Sequence, residues 1–249
     1  MPKVSVIMPC HNGAKYIAGA IHSVQNQTFS DWELLVIDDC STDDSLEIIR
    51  RFTEEDRRIR FLQTEQSTGF PSDVRNAGIQ AAIGRYIAFL DCDDKWLPTK
   101  LENQLPLFED ENVAVVFSWY KKMDENGSIH QNPVKSPAFV TYKKLLGGNV
   151  IGNLTGIYDS KKVGNVFQKQ IHHEDYLMWL EILNKGFSAM NTNTIEALYR
   201  ESNESISGSK LKAFMWTWQI FHRELQLSFV AAVICFIRYA FKGMLKFWK

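Results

Sequence analysis

Asp91, Cys92, Asp93 and Asp94 follow directly on an apolar run, Tyr86–Leu90. In an extended chain alternate side chains project to one side, so Asp91 and Asp93 share a side if that conformation persists. Two carboxylates so placed repel one another. A hard divalent cation with oxygen ligands, Mn2+ or Mg2+, holds them together and leaves positions for diphosphate oxygens. The same four residues also read as an acidic turn capping a helix that starts near Pro98. A second group, His172-His173-Glu174-Asp175, opens the segment Tyr176–Leu180. Acids at a helix N-terminus are favoured by its dipole. The two histidines resemble a metal pair, but neighbours on a helix point about 100° apart, so at most one of them reaches a phosphate or acceptor.

These groups need a frame. Val4–Met8 is a β-branched apolar run stopped by Pro9 and the turn residues His11-Asn12-Gly13, which predicts a strand ending in a turn. Ala14–Gln27 has helical spacing, and Glu33–Ile37 reads as a buried strand ending at Asp38-Asp39. Ser41 or Thr42 is the expected cap of a helix running through Phe52. Further strands are expected at Ile59–Gln63, Tyr86–Leu90, Val113–Trp119 and Ile195–Tyr199. Amphipathic helices are expected at Asp73–Ile83, with Gly84 as its C-cap, and at Glu174–Asn184. Strand and helix thus alternate over the first ~120 residues, the pattern of an open, mostly parallel α/β sheet. Ligands in such sheets bind at the carboxyl ends of strands. Pro9–Asn12, Asp38-Asp39 and Asp91–Asp94 all fall there.

The composition fits a folded chain: 249 residues, 45% apolar, 28 basic and 29 acidic side chains, net charge −1. Disorder is excluded, and so is a nucleic-acid binder that works by neutralising phosphates. The charge is uneven. Residues 210–249 carry seven basic side chains against Glu224 alone, a basic, aromatic end on an acidic body. Four cysteines without CxxC spacing argue against a disulfide framework or zinc site and for a reducing compartment. The apolar stretch before Pro9 is too short for a signal peptide, and no run of ~20 apolar residues predicts a spanning helix.

Taken together, VSVIMPCHNG, QTFSDWELLVIDDCSTDDS, RNAGIQAAIGRYIAFLDCDDKWLP and HEDYLMWLEIL resemble the family 2 glycosyltransferases, over roughly residues 3–200. The resemblance implies the GT-A fold, a Rossmann-like mixed sheet, mostly parallel, with helices on both faces. Residues 1–105 would form its nucleotide-sugar half and 106–209 its acceptor half, followed by C-terminal amphipathic helices in 210–249.

By position the resemblance implies that Pro9, His11 and Asn12 border the nucleotide and that Asp39 accepts the uracil N3–H, with Asp38 supporting the turn. His11 stands where the family often has an aromatic that stacks on the base, and a turn residue bonded to backbone is its other reading. Arg75 would answer negative charge near the nucleotide, or else pair with Asp73 or Asp91. Asp91 would lie beside the ribose and Asp93 would reach the metal, with Asp91 as a second ligand. Asp175 is implied as the base that takes the acceptor's proton, with Glu174 beside the substrate. Arg200, with Ser205 and Ser207, would close over the diphosphate.

Neither GxGxxG nor GxxxxGK[ST] occurs, so phosphate would be held by metal rather than by a glycine nest. The expected reaction is an inverting transfer from a UDP-sugar to a saccharide acceptor carried on lipid, in assembly of a surface polysaccharide such as O-antigen or capsule. A sugar nucleotidyltransferase and a non-catalytic nucleotide-binding module are the rival readings. Arg238, Lys242, Lys246 and Lys249 fall on one side of a helix, which fits residues 229–249 lying on an anionic membrane surface. Docking of that helix on the protein is the other reading. A cytoplasmic protein, peripheral on the inner face of the inner membrane, is the expected location.

Overall fold

The apolar runs of the first half have no polar side to show water, so both faces of their sheet must be covered. The computed structural model, which describes residues 1–201 and 210–245, covers both. In chain order the first half contains β1 (Val4–Cys10), α1 (Ile17–Gln25), β2 (Trp32–Asp38), α2 (Ser45–Glu55), β3 (Ile59–Gln63), α3 (Pro71–Ala81), β4 (Tyr86–Phe89), β5 (Lys95–Trp96) and α4 (Lys100–Gln104). The second contains β6 (Val113–Met123), β7 (Phe139–Thr141), α5 (Tyr142–Leu145), β8 (Ile157–Asp159), α6 (Ser160–Val163), α7 (Glu174–Asn184), β9 (Ser188–Arg200), α8 (Lys210–Gln219) and α9 (Phe229–Leu245).

The strands form one mixed sheet in the order β3-β2-β1-β4-β8-β6-β9-β5, with β7 added beside β9. β1, β2, β3 and β4 run parallel, as do β6 and β9, while β8 lies antiparallel between β4 and β6. One sheet therefore spans both halves. Alternation along the strands divides the core. Val4, Val6, Met8, Leu34 and Val36 pack with Ile17 and Ile21 of α1 and Ile49 of α2 on one face. Ile7, Leu35 and Ile37 pack with Val74 and Ile79 of α3 and with α7 on the other.

Several sequence expectations change. α7 is not amphipathic: Tyr176–Leu180, Ile182 and Leu183 are all buried, because the helix lies between the sheet and the C-terminal helices. Gly84 caps no helix. A Cβ there would stand 2.7 Å from the Ser5 nitrogen, so glycine is required by the close approach of the chain to β1. Neither Ser41 nor Thr42 caps α2. Its first residue is Ser45, whose N–H and hydroxyl both donate to Asp43 Oδ1.

The C-terminal segment is partly core. Ile220, Phe221, Ala232 and Cys235 join the same cluster as α7, and Phe236 meets Phe214 and Trp218 ring to edge. So α9 docks on the protein by one side. Its other side, Val230, Ile234, Ile237 and Phe241, is 67, 46, 61 and 57% exposed. Among the described residues no helix is long and apolar enough to cross a membrane. Ser205, Ser207, Lys246, Lys249 and the side chain of Lys242 lie outside the described residues.

Candidate active site

The carboxyl ends of β1, β2 and β4 open on one cleft of about 490 Å3. Pro9, His11, Asn12, Asp39, Arg75, Asp91 and Asp93 all line it, together with Tyr16, Ser67 and Phe70. The floor is rigid because the loops after β1 and β2 are laced together. Asn12 N–H donates to Ser41 Oγ at 2.9 Å, and Thr42 N–H donates to Asn12 Oδ1 at 2.8 Å. Gly13 and Ala14 N–H donate to Ser45 Oγ and Asp43 Oδ2. Asn12 and Cys40 adopt left-handed backbone, φ 51° and 55°. His11 Nδ1 donates to the Asp39 carbonyl at 2.8 Å, the backbone-bonded arrangement open to it from sequence.

Asp39 is 5% exposed. Burial alone would raise its pKa, but donation from Thr68 N–H and from the Thr64 and Ser67 hydroxyls overrides that and holds it below the usual carboxylate range. It is therefore an anion presenting acceptor oxygens to the cleft. Asp38, fully buried, accepts from Ser41 N–H and Gln63 Nε2 and so braces the turn. Thr64, Ser67 and Thr68 carry no sequence signal beyond polar loop residues ahead of Gly69.

Arg75 reaches from α3 across the cleft wall. Its guanidinium donates to Asp91 Oδ1 at 2.7 Å, to Glu174 Oε1 at 2.9 Å and to Gln168 Oε1 at 3.3 Å. Asp73, the alternative partner, instead accepts from Gln170. The arginine thus ties the end of β4 to the start of α7, residues far apart in the chain.

The extended conformation does not persist through Asp91–Asp94. Asp94 N–H bonds back to the Asp91 carbonyl and closes a turn, yet Asp91 and Asp93 still share the cleft. Desolvation, then the like charge of Asp91, raises the Asp93 pKa. Asp94 is buried and accepts from Arg200 N–H at 2.7 Å. Arg200 is tied to that turn. It is 6% exposed, donates to the carbonyls of Asp93 and Asp124, and stacks on Tyr16 at 4.2 Å. It does not line the cleft, and these bonds fasten the Asp93 turn.

Glu174 and Asp175 open α7 and do not line the cleft; Glu174 joins it through Arg75. Asp175 is half-buried, and Asn149 Nδ2 donates to its Oδ2 at 3.0 Å. Desolvation, then the negative charge of Glu174, pushes its pKa up to about 7. A carboxylate with that pKa is a far better proton acceptor than a solvated one. His173, at φ 62°, is the N-cap of α7 with Nε2 buried and unpartnered, and His172 stacks on Trp216 of α8 at 3.8 Å. The histidines thus meet the C-terminal segment. Asn149, Gln168, Tyr16 and Trp216 were not foreseen, because only the fold brings them here.

No group of three His, Cys, Asp or Glu suited to a metal occurs among the described residues. The donors present, Asp91 and Asp93, are carboxylate oxygens, the ligands a hard cation prefers. Burial and then the like charge of Asp91 disfavour the Asp93 anion, and a cation would offset both. The pair fits a cation whose remaining ligands come from substrate oxygens and water.

The model of glycosyl transferase family 2 matches residues 5–161. The chain is 38% identical over 240 residues to TuaG of Bacillus subtilis, provisionally named a teichuronic acid biosynthesis glycosyltransferase, covering 96% of this chain and 95% of that one. It is 37% identical over 218 residues to WfgD of Escherichia coli, a UDP-Glc:alpha-D-GlcNAc-diphosphoundecaprenol beta-1,3-glucosyltransferase, covering 87% and 84%. Among solved structures, S. aureus TarS 1-349 in complex with UDP-GlcNAc superposes with a TM-score of 0.72 at 21% identity, over 96% of this chain and 71% of that one. That likeness carries the fold, which is GT-A.

Proposed function

The chain belongs to glycosyl transferase family 2, and from that premise we propose that it moves a hexose or N-acetylhexosamine from a UDP-sugar to a hydroxyl of a saccharide on polyprenyl diphosphate, with inversion. The observation that carries this reading is Arg75. It joins Asp91, in the cleft that ends at Asp39, to Glu174, the residue before Asp175. A donor in the cleft would meet Asp39 at its uracil and Asp91 and Asp93 at its ribose and diphosphate. The uracil N3–H would take the place of one hydroxyl now donating to Asp39, and His11 and Asn12 would border the ring.

Asp175 would accept the proton of the attacking hydroxyl. Its pKa near 7 keeps it basic enough for that and still mostly ionised just above neutrality. Glu174 and Arg75 would keep the charge around the reacting centre balanced. Asp93, with Asp91, would hold Mn2+ or Mg2+, which supplies positive charge to the leaving diphosphate. A single in-line displacement on an α-linked donor gives a β-glycoside, the kind of linkage in the name of WfgD.

The acceptor reading draws on the same relative, which acts on a sugar attached to diphosphoundecaprenol, and on the exposed apolar side of α9 flanked by Arg238. That side would rest on the anionic membrane surface bearing such an acceptor, in assembly of a surface polysaccharide. Incubation with a panel of UDP-sugars, Mn2+ and a polyprenyl-diphosphate-linked N-acetylglucosamine tests the proposal. UDP release coupled to a β-linked product is expected. No transfer from any UDP-sugar would leave a nucleotide-binding module, and UTP with sugar 1-phosphate formed from a UDP-sugar only when pyrophosphate is added would leave a nucleotidyltransferase.

A further inference from the structure

We propose that Cys10 and Cys92 form an oxidisable dithiol on the floor of the cleft, a reversible modification site that closes to a disulfide. Three observations place the two sulfurs together. β1 and β4 pair in parallel as far as Ile7↔Phe89, and each cysteine lies three residues beyond that pair on its own chain. Leu90 N–H still donates to the Ile7 carbonyl at 3.0 Å, so the two chains stay side by side up to the residue before the Asp91–Asp94 turn. The two side chains also turn to the same spot: a Cβ built on Gly13 would stand 2.8 Å from Cys92 Sγ and 3.1 Å from Cys10 Sγ. Glycine at that position leaves the space both sulfurs occupy. Both cysteines line the cleft, so a small reagent can reach them although Cys10 is only 2% exposed.

The chemistry balances with a small-molecule disulfide as oxidant. One cysteine thiolate attacks the reagent's S–S bond, forming a mixed disulfide and expelling one reagent thiol. The second thiolate attacks the protein sulfur of that mixed disulfide, forming Cys10–Cys92 and expelling the second reagent thiol. Two protein thiols are oxidised and the reagent is reduced to two thiols, which carry the two protons. An uncharged reagent suits the site, because Asp39, Asp91 and Asp93 face the same space.

The site has a consequence that rests on the donor reading above. Cys92 stands between Asp91 and Asp93, and Cys10 directly precedes His11. A bond between their sulfurs pulls the Asp91–Asp94 turn toward the loop after β1. UDP affinity should therefore fall at least tenfold on oxidation and return with dithiothreitol.

The full chain is treated with bis(2-hydroxyethyl) disulfide and digested without reduction, and the linked peptides are identified by mass. A Cys10–Cys92 peptide, absent after dithiothreitol and absent from Cys92→Ala, is the expected result. If Cys40 or Cys235 takes up reagent while no Cys10–Cys92 peptide forms, the dithiol is wrong. UDP titration of reduced and oxidised protein is the second readout. A mapped link that leaves UDP affinity unchanged removes the consequence. A mapped link in a chain whose reduced form binds no UDP leaves the dithiol standing and overturns the donor reading instead.

Discussion

Asn149 and Asp175, 26 residues apart, meet at 3.0 Å, the amide nitrogen donating to the carboxylate. That bond favours the charged acid, whereas desolvation and Glu174 push the other way and leave the pKa at about 7. If Asp175 is the base, kcat rises as pH climbs through about 7 and levels off above it. Asn149→Leu removes a donor to the charged form, so the acid's pKa goes up and the rising limb moves to higher pH. A pH–rate profile of the two proteins measures this. Asp175→Asn should lower kcat by ~10²–10⁴ and leave UDP affinity nearly unchanged, and a mutant that transfers sugar at the normal rate would remove the assignment.

Arg75 serves two carboxylates at once, with its side chain 7% exposed. Burial disfavours its charge, but Asp91 and then Glu174 raise its pKa beyond any physiological range. Removing one member of a buried ion network strands the others. Arg75→Met should therefore cost ~3–5 kcal/mol of stability, read from the urea midpoint and slope. A loss below about 1 kcal/mol would mean that water already screens the two acids.

How much of this was written in the sequence varies with the reach of each signal. β1, β2 and β4 were legible because strands buried on both faces are continuously apolar, and Asp39, Asp91 and Asp93 were legible as the polar residues ending those runs. β7 and β8, three residues each, are too short to show periodicity, and β8 is recruited by its neighbours β4 and β6. The asparagine that tunes Asp175 sits in an unremarkable Gly-Gly-Asn turn, and no local rule pairs it with a residue 26 positions away. Arg200 entered through the resemblance alone, and no local signal announces the three backbone carbonyls, those of Asp93, Asp124 and Glu125, that accept from its guanidinium.

Lys100 is fully buried, donates to Gln104 Oε1 and the Thr155 carbonyl, and lies over the Trp96 ring. Desolvation pulls its pKa down to about 7, with Glu196 opposing. The unfolded chain keeps the ordinary lysine value near 10.4. Between about pH 7 and pH 10 the unfolded state thus binds a proton that the folded state does not. Stability therefore increases with pH across that window, by up to about 1.4 kcal/mol per pH unit, and is flat below it. Lys100→Met should abolish the slope and stabilise the protein at pH 7. Urea titrations at pH 7, 8 and 9 check both, and parallel wild-type and mutant curves would assign the slope elsewhere.

α9 is docked by one side and bare on the other. Ala232 and Cys235 belong to the core, so deleting the helix would unfold part of the protein and prove nothing about a membrane. Ile234 and Ile237 are 46 and 61% exposed on the opposite side, where substitution spares the packing. Burying a side chain of that size in an apolar phase gains ~1.5–3 kcal/mol. Ile234→Glu with Ile237→Glu should then lower co-sedimentation with phosphatidylglycerol vesicles by well over tenfold while the melting temperature holds. Salt separates the two forces. The attraction of Arg238 for anionic headgroups weakens as the Debye length shrinks from about 10 Å at 0.1 M to about 3 Å at 1 M, whereas the apolar contact does not. Wild-type binding that falls only partly at 1 M salt, beside a double mutant that fails to bind even in low salt, is the pattern expected of a helix held by its apolar side. Equal sedimentation of the two proteins would show that this side faces something other than lipid.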